Sequence, residues 1–185
     1  MRTRSDPRFR HATQLIALFA TALALSACGS SPSGLLTSAD IPSNLGVTSN
    51  ASLSSSQASQ LSPTPHCSKA EDAVFAVPGM GAPPGSLLIK ARAPEIVTVD
   101  QSCDSTADAH AVFETSVKDI GGSSVRGIGD EANLVDLSSK AERAYFVGWR
   151  RRNQVGIVVV VGAPSDTRIG PKLAELLGSR AVARS

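Results

Sequence analysis

Ala144-Tyr145-Phe146-Val147-Gly148-Trp149, then Arg150-Arg151-Arg152-Asn153-Gln154, then Val155-Gly156-Ile157-Val158-Val159-Val160-Val161 follow one another without a break. β-Branched and aromatic residues dominate both outer segments and a short polar stretch parts them, which predicts a β-hairpin. The second arm offers no polar position to either side. A strand of that kind needs cover on both faces, so it belongs in the middle of a sheet. At the tip, the run of arginines is read first as a solvated turn that resists pairing with another chain. A second reading makes Arg150, Arg151 and Arg152 a patch for anionic head groups or acidic envelope polymers.

Working outward, Leu87-Leu88-Ile89 and Ile96-Val97-Thr98-Val99 read as further strands on either side of Pro94, and a turn at Gly127–Glu131 leads into another from Ala132 to Leu137. Ser105-Thr106-Ala107-Asp108 has the form of a helix start, a hydroxyl placed to accept from the third helical amide. Ala109, Val112, Phe113, Ser116, Val117 and Ile120 then recur at helical spacing, and Gly121-Gly122 ends the run. Ser68-Lys69-Ala70-Glu71 has the same form and predicts a helix to about Val77, before Pro78-Gly79. A last helix is expected from near Pro171, with Leu173, Leu176 and Leu177 on its buried side. Residues 48 to 65 are dominated by Ser, Thr, Asn, Gln and Pro and read as a loop. Leu35 to Pro42 reads as one apolar-faced turn. Helix, strands, helix, strands, helix implies an α+β fold, an antiparallel sheet with about three helices packed on it.

Upstream of this domain the chain changes character. Arg2, Arg4, Arg8 and Arg10 precede an apolar run from Leu15 to Leu25, which ends in Leu25-Ser26-Ala27-Cys28. A basic head, an apolar middle and small residues at the end are the marks of an export signal. The run is shorter than the about 20 apolar residues a membrane span needs. The expected organisation is therefore a signal peptide at 1–27, a lipidated tether at 28–34, and one domain over 35–185 with its Ser/Pro-rich loop at 48–65. Removing the leader's four arginines and Asp6 from the chain's 18 basic and 16 acidic side chains leaves 14 and 15. A near-neutral surface gives no support for nucleic-acid binding, which uses a basic stripe. Only seven aromatic residues occur in the whole chain, so aliphatic side chains have to fill the core.

With Cys28 assigned to lipid, Cys67 and Cys103 remain, and in an oxidising compartment they are expected to form a disulfide. On the chain-entropy model it stabilises the fold by roughly 4 kcal/mol. Each cysteine would precede a helix start, so the bond is expected to pin two helix N-termini together. Metal binding by His66 and Cys67 is the rival reading, but no further Cys or His cluster completes a site. No cofactor and no metal site are expected. Gly127-Ile128-Gly129-Asp130-Glu131 lacks the third glycine and the Lys-Ser/Thr ending of a phosphate loop. Asp130 and Glu131, being adjacent, would face opposite sides of a strand. His110 and Glu114 share a helical face and could serve as a base and its orienter, but no nucleophile is placed beside them, and a surface ion pair extended by Lys118 explains the same residues with less. No Gly-x-Ser-x-Gly elbow is present, and the expectation is that the protein is not an enzyme.

Leu25-Ser26-Ala27-Cys28 resembles the lipobox of bacterial lipoproteins, in which the cysteine thiol carries a diacylglycerol and becomes the mature N-terminus. Together with Asp40-Ile41-Pro42, the Pro-rich approach to Cys67, a second cysteine ahead of a helix, and Gly129-Asp130-Glu131-Ala132 before a Val-rich hairpin, the chain resembles the small envelope lipoproteins of mycobacteria and other actinobacteria. Over roughly residues 35 to 184 it is also similar to the extracellular sensor domains of actinobacterial serine/threonine kinases, although it has one cysteine pair where those usually have two. The resemblance implies an exported protein held by lipid at the outer face of the cell membrane. Its domain would bind an unknown ligand or envelope protein without catalysing a reaction. The alternative is a lipid or glycolipid carrier with an internal apolar cavity.

Overall fold

The strand from Gln154 to Gly162 lies at the centre of an antiparallel sheet, three strands from either edge. The computed structural model describes residues 34–51, 66–78 and 93–185. Within them the chain runs β1 (Thr48–Ala51), β2 (Cys67–Ala76), β3 (Glu95–Cys103), α1 (Thr106–Ser116), β4 (Ser123–Ser124), β5 (Glu131–Asp136), β6 (Arg143–Arg151), β7 (Gln154–Gly162) and α2 (Pro171–Arg184). The spatial order is β1-β2-β3-β7-β6-β5-β4. The leader, Cys28, the tether as far as residue 33, residues 52–65 and the Leu87–Ile89 segment lie outside the described residues.

The β6–β7 hairpin sets the two faces of the sheet. Tyr145, Val147 and Trp149 stand opposite Val160, Val158 and Gly156 on one face, and Ile96, Thr98 and Asp100 of β3 continue those rows. Phe146, Gly148 and Arg150 stand opposite Val159, Ile157 and Val155 on the other. α2 packs on the first face and α1 on the second, so β7 is covered on both sides, as its composition requires. The longer helix covers its face more completely. Val158 and Val160 are fully buried beneath the α2 side, whereas Ile157, Val159 and Val161 on the α1 side are only partly buried.

Both helices start where their sequence places them. Ser105 caps α1, its Oγ accepting from the Asp108 amide at 3.1 Å. Ala109, Val112, Phe113 and Val117 are buried. α2 has Gly170 at its N-cap and Pro171 in its first turn, where a missing amide proton costs no hydrogen bond. Of the expected leucines, Leu177 is fully buried and Leu173 is half-buried against the core, while Leu176 is 42% exposed; Ala174, Gly178, Ala181 and Val182 complete the buried side. Small residues at 174, 178 and 181 let the helix lie close on Val147 of the sheet.

The class is α+β as expected, but with two α-helices and not about three. The segment expected to be a helix from Ser68 is the strand β2, paired with β3 from Cys67↔Cys103 through Ala76↔Glu95. The cap-like Ser68 and Glu71 are a local signal, and pairing along the whole length of β3 overrides it. The disulfide between Cys67 and Cys103 is present. It joins the start of β2 to the end of β3, so only Cys103 precedes a helix, and the expected pinning of two helix starts is corrected to a staple between neighbouring strands. Part of the expected loop at 48–65 is also a strand: β1 pairs with the end of β2, from Thr48↔Ala76 to Ala51↔Val74. A short polar strand suits a sheet edge.

Residues 34 to 47 form a strap across the α2 side. Leu35, Leu36, Ile41 and Leu45 are buried, and two 3-10 turns, Ser38–Asp40 and Ser43–Leu45, carry the chain past Pro42. Asp40 ties the strap to the last helix. Its carboxylate is 2.8 Å from Arg184 and accepts from the Thr37 amide at 2.7 Å, and Arg180 donates to its carbonyl. Burial works against the charge on Asp40, yet the bonds from Thr37 and Arg184 hold its carboxyl below the usual range. Further along, Arg168 donates to the Asn44 carbonyl at 2.6 Å.

Gly156 has no side chain because the indole of Trp149 lies on it; a Cβ built there would overlap the ring. Trp149 is fully buried and cannot move aside without displacing its neighbours. Gly156→Ala is therefore expected to destabilise the fold by about 1–3 kcal/mol, the usual cost of overpacking a core, read as a lower urea midpoint with an unchanged slope.

Candidate functional site

Arg150 sits in the penultimate position of β6, directly opposite Glu131. Strand alternation turns it to the α1 side, where it is only 9% exposed. A guanidinium there needs acceptors, since burying an unpaired charge is costly. Its Nε and Nη2 donate to Glu131 Oε1 at 3.1 and 2.7 Å, and Nη1 donates to Asp130 Oδ2 at 3.2 Å and to the Arg152 carbonyl at 3.0 Å. Asp130 also accepts from the Arg152 amide at 2.7 Å. Adjacent carboxylates were expected to diverge. They converge on one arginine because β5 begins at Glu131, leaving Asp130 in the preceding turn, free of the strand's alternation.

The same carboxylate draws in α1. His110 Nδ1 lies 3.0 Å from Glu131 Oε1. One turn on, Glu114 accepts from Lys118 at 2.8 Å. The expected surface pair is thus present between Glu114 of α1 and Lys118 just past its end, while His110 turns to β5 instead. Beside this cluster is a cleft of about 360 Å³ between Phe113 of α1, Lys118 in the 3-10 turn Lys118–Ile120 that follows it, and the loop-and-strand segment 124–133. The cleft wall includes Gly127-Ile128-Gly129-Asp130-Glu131, the stretch that superficially suggested a phosphate loop. Both glycines have positive φ, at 83° and 61°, and Ile128 turns inward to pack near Gly178 of α2. At the far side, Asn133 of β5 donates to the carbonyl of Gly121, which closes the 3-10 turn Lys118–Ile120, at 3.0 Å.

The three arginines of the hairpin do three different things and do not form one surface patch. Arg150 is the buried clamp. Arg151 turns to the other face, where its Nη1 donates to the carbonyls of Val182 and Ser185 at 2.8 and 3.0 Å, satisfying acceptors at the C-terminal end of α2. Only Arg152 is exposed, at the turn, with φ of 54°. Neighbouring Asn153 donates to the Cys103 carbonyl at 2.8 Å and accepts from the Cys103 amide at 2.8 Å, holding the tip against the disulfide. His66 is exposed and lies 3.8 Å from Asp104.

A second concentration of polar groups is buried on the α2 side. Thr98 Oγ1, Asp100 Oδ1 and Trp149 Nε1 have no hydrogen-bond partner among the described residues. Asp100 is 5% exposed, with Glu71 opposite it on β2 and the strap backbone at Gly34 against its carboxyl. Burial pushes the Asp100 pKa up to about 7; the amide of Gln101 pulls it down and the charge of Glu71 raises it further. Nothing in the sequence marks Asp100: it is one of several polar residues in the second half of β3, and the strap backbone at Gly34 lies against its carboxyl.

No protein-family model and no curated protein matches the chain.

The clamp predicts a graded effect of substitution along the run. Arg150→Gln should cost about 2 kcal/mol of stability, the scale of a hydrogen bond to a charged group, and Arg152→Gln less than about 0.5 kcal/mol, both read by chemical denaturation. Asp100 predicts a pH dependence. Its pKa is higher folded than unfolded, so its contribution to stability is fully present below about pH 4 and is lost as pH rises through about 7. Asp100→Asn should gain on the wild type over that window, by about 4 kcal/mol at pH 8; denaturation curves of both proteins at pH 4, 6 and 8 measure the difference.

Proposed function

We propose that the protein is a membrane-anchored lipoprotein of the cell envelope whose domain binds a ligand or partner without catalysing a reaction. The observation that carries this reading is the ending Leu25-Ser26-Ala27-Cys28 after a basic and apolar leader, with the folded strap beginning only six residues beyond the cysteine. Six residues reach at most about 20 Å, so the domain would be held close against the bilayer. The Cys67–Cys103 disulfide suits an exported protein. Among the described residues no helix is long and apolar enough to cross a membrane. Two acyl chains on Cys28 would supply the attachment, each buried methylene adding about 0.8 kcal/mol.

Binding is supported by the cleft beside α1, whose walls mix Phe113 with Lys118, Asp130, Glu131 and Asn133. A few placed polar groups in a concave surface are the usual make-up of a recognition site. Among the described residues the partner of His110 is a carboxylate and not a nucleophilic hydroxyl or thiol. The carrier alternative draws no support from the described core, where Trp149 fills the space over Gly156 and Val117 that over Gly148.

Expression of the full chain in a lipoprotein-processing actinobacterium tests the anchor. Wild-type protein should fractionate with membranes and have the mass of a chain starting at a diacylated Cys28. Cys28→Ser should appear in the culture fluid. An unmodified amino end on the membrane-associated wild type, or equal partition of the two proteins, would refute the reading.

A further inference from the structure

His110 and Glu114 lie one turn apart on α1, and both approach Glu131 at the start of β5. One ligand atom from each residue, an imidazole nitrogen and two carboxylate oxygens, lies within 4.8 Å of the other two. His110 Nδ1 and Glu131 Oε1 are already 3.0 Å apart. Around a tetrahedral zinc ion with bonds of about 2.0–2.2 Å, ligand atoms stand roughly 3.3–3.5 Å from one another. The three groups are therefore within a small side-chain rotation of that arrangement. The geometry points to a divalent-cation site of the zinc type, formed by His110, Glu114 and Glu131 with a fourth position left for water or a ligand.

The supporting structure is what distinguishes this cluster from chance surface charges. α1 is fixed by its buried Ala109, Val112 and Phe113, and Glu131 is held in register opposite Arg150. Arg150 hydrogen-bonds the Glu131 carboxylate through two of its nitrogens, the kind of outer partner that orients a metal-binding group. Charge favours a dication. Glu114, Asp130 and Glu131 face Arg150 and Lys118, three negative groups against two positive, and Lys118 is a removable counter-ion with a side chain 61% exposed. Releasing it to water costs little, and a dication in its place balances the site. An imidazole among the ligands selects zinc over calcium and magnesium, which take oxygen donors. Glu131 and Lys118 also line the cleft, so the fourth position borders it. This inference goes beyond the binding role proposed above and does not depend on the lipid anchor.

Calorimetric titration of the purified full chain with zinc chloride, in detergent and at neutral pH, tests it. One zinc per chain is expected in the micromolar range. His110→Ala and Glu114→Gln should each weaken binding by about tenfold or more. Lys118→Met, which removes the competing ammonium, should tighten it severalfold; a merely structural role for the cluster would not produce that gain. His11→Ala and His66→Ala should leave the titration unchanged, and calcium chloride should give no heat of binding at this site. Thermal unfolding of the metal-free variants should match the wild type, since His110 is exposed and Glu114 only partly buried. Absence of stoichiometric binding, an unchanged titration in His110→Ala, or loss of binding in His66→Ala or His11→Ala would overturn the assignment.

Discussion

From Val155 to Val161, β7 presents apolar side chains to both sides of the sheet, and water has to be kept from each. One helix cannot do this, so the chain places α1 on one face and α2 with the strap on the other. The flanking strands follow from the same demand. β3 and β6 lend β7 long, largely buried neighbours, while the shorter and more polar β1 and β4 fall at the rims. Glycines in the central strands match the two covers: Gly148 receives Val117 from the α1 side, and Gly156 receives the Trp149 ring on the α2 side.

What could be read in advance follows the same division. The hairpin, the strand around Ile96–Val99, α1 with its serine cap and the proline-started α2 carry their own periodicity and their own end signals, and each appears at the expected place. β2 was misread because Ser68 to Glu71 imitates a cap, and what makes it a strand is the partner strand, far along the chain. β1 was missed because an edge strand with one neighbour needs no apolar pattern. On α2 Leu177 is buried as expected but Leu176 is not, since close approach to the sheet favours Ala174, Gly178 and Ala181 over bulk.

The site was hidden for a different reason. His110, Glu114, Asp130, Glu131 and Arg150 were each visible, and each had a bland explanation alone. Their meeting depends on the register of β5 against β6 and on the depth at which α1 crosses the sheet, neither of which short-range patterns encode. The hairpin arginines show the same limit. Three identical side chains in a row look like one patch, but strand alternation sends Arg150 and Arg151 to opposite faces, and the turn leaves Arg152 alone in solvent.

The strap joins the two ends of the described domain, for Asp40 is fastened to Arg180 and Arg184 of the last helix. A pull applied ahead of Gly34 therefore does not peel one loose end. It loads the first turn and the final turn together, and both must yield before the Trp149 side of the sheet is laid bare. Tension along the leading segment is thus borne by ionic contacts and by the packing of Leu35 and Leu36, while the ladder of β-strands behind them is spared.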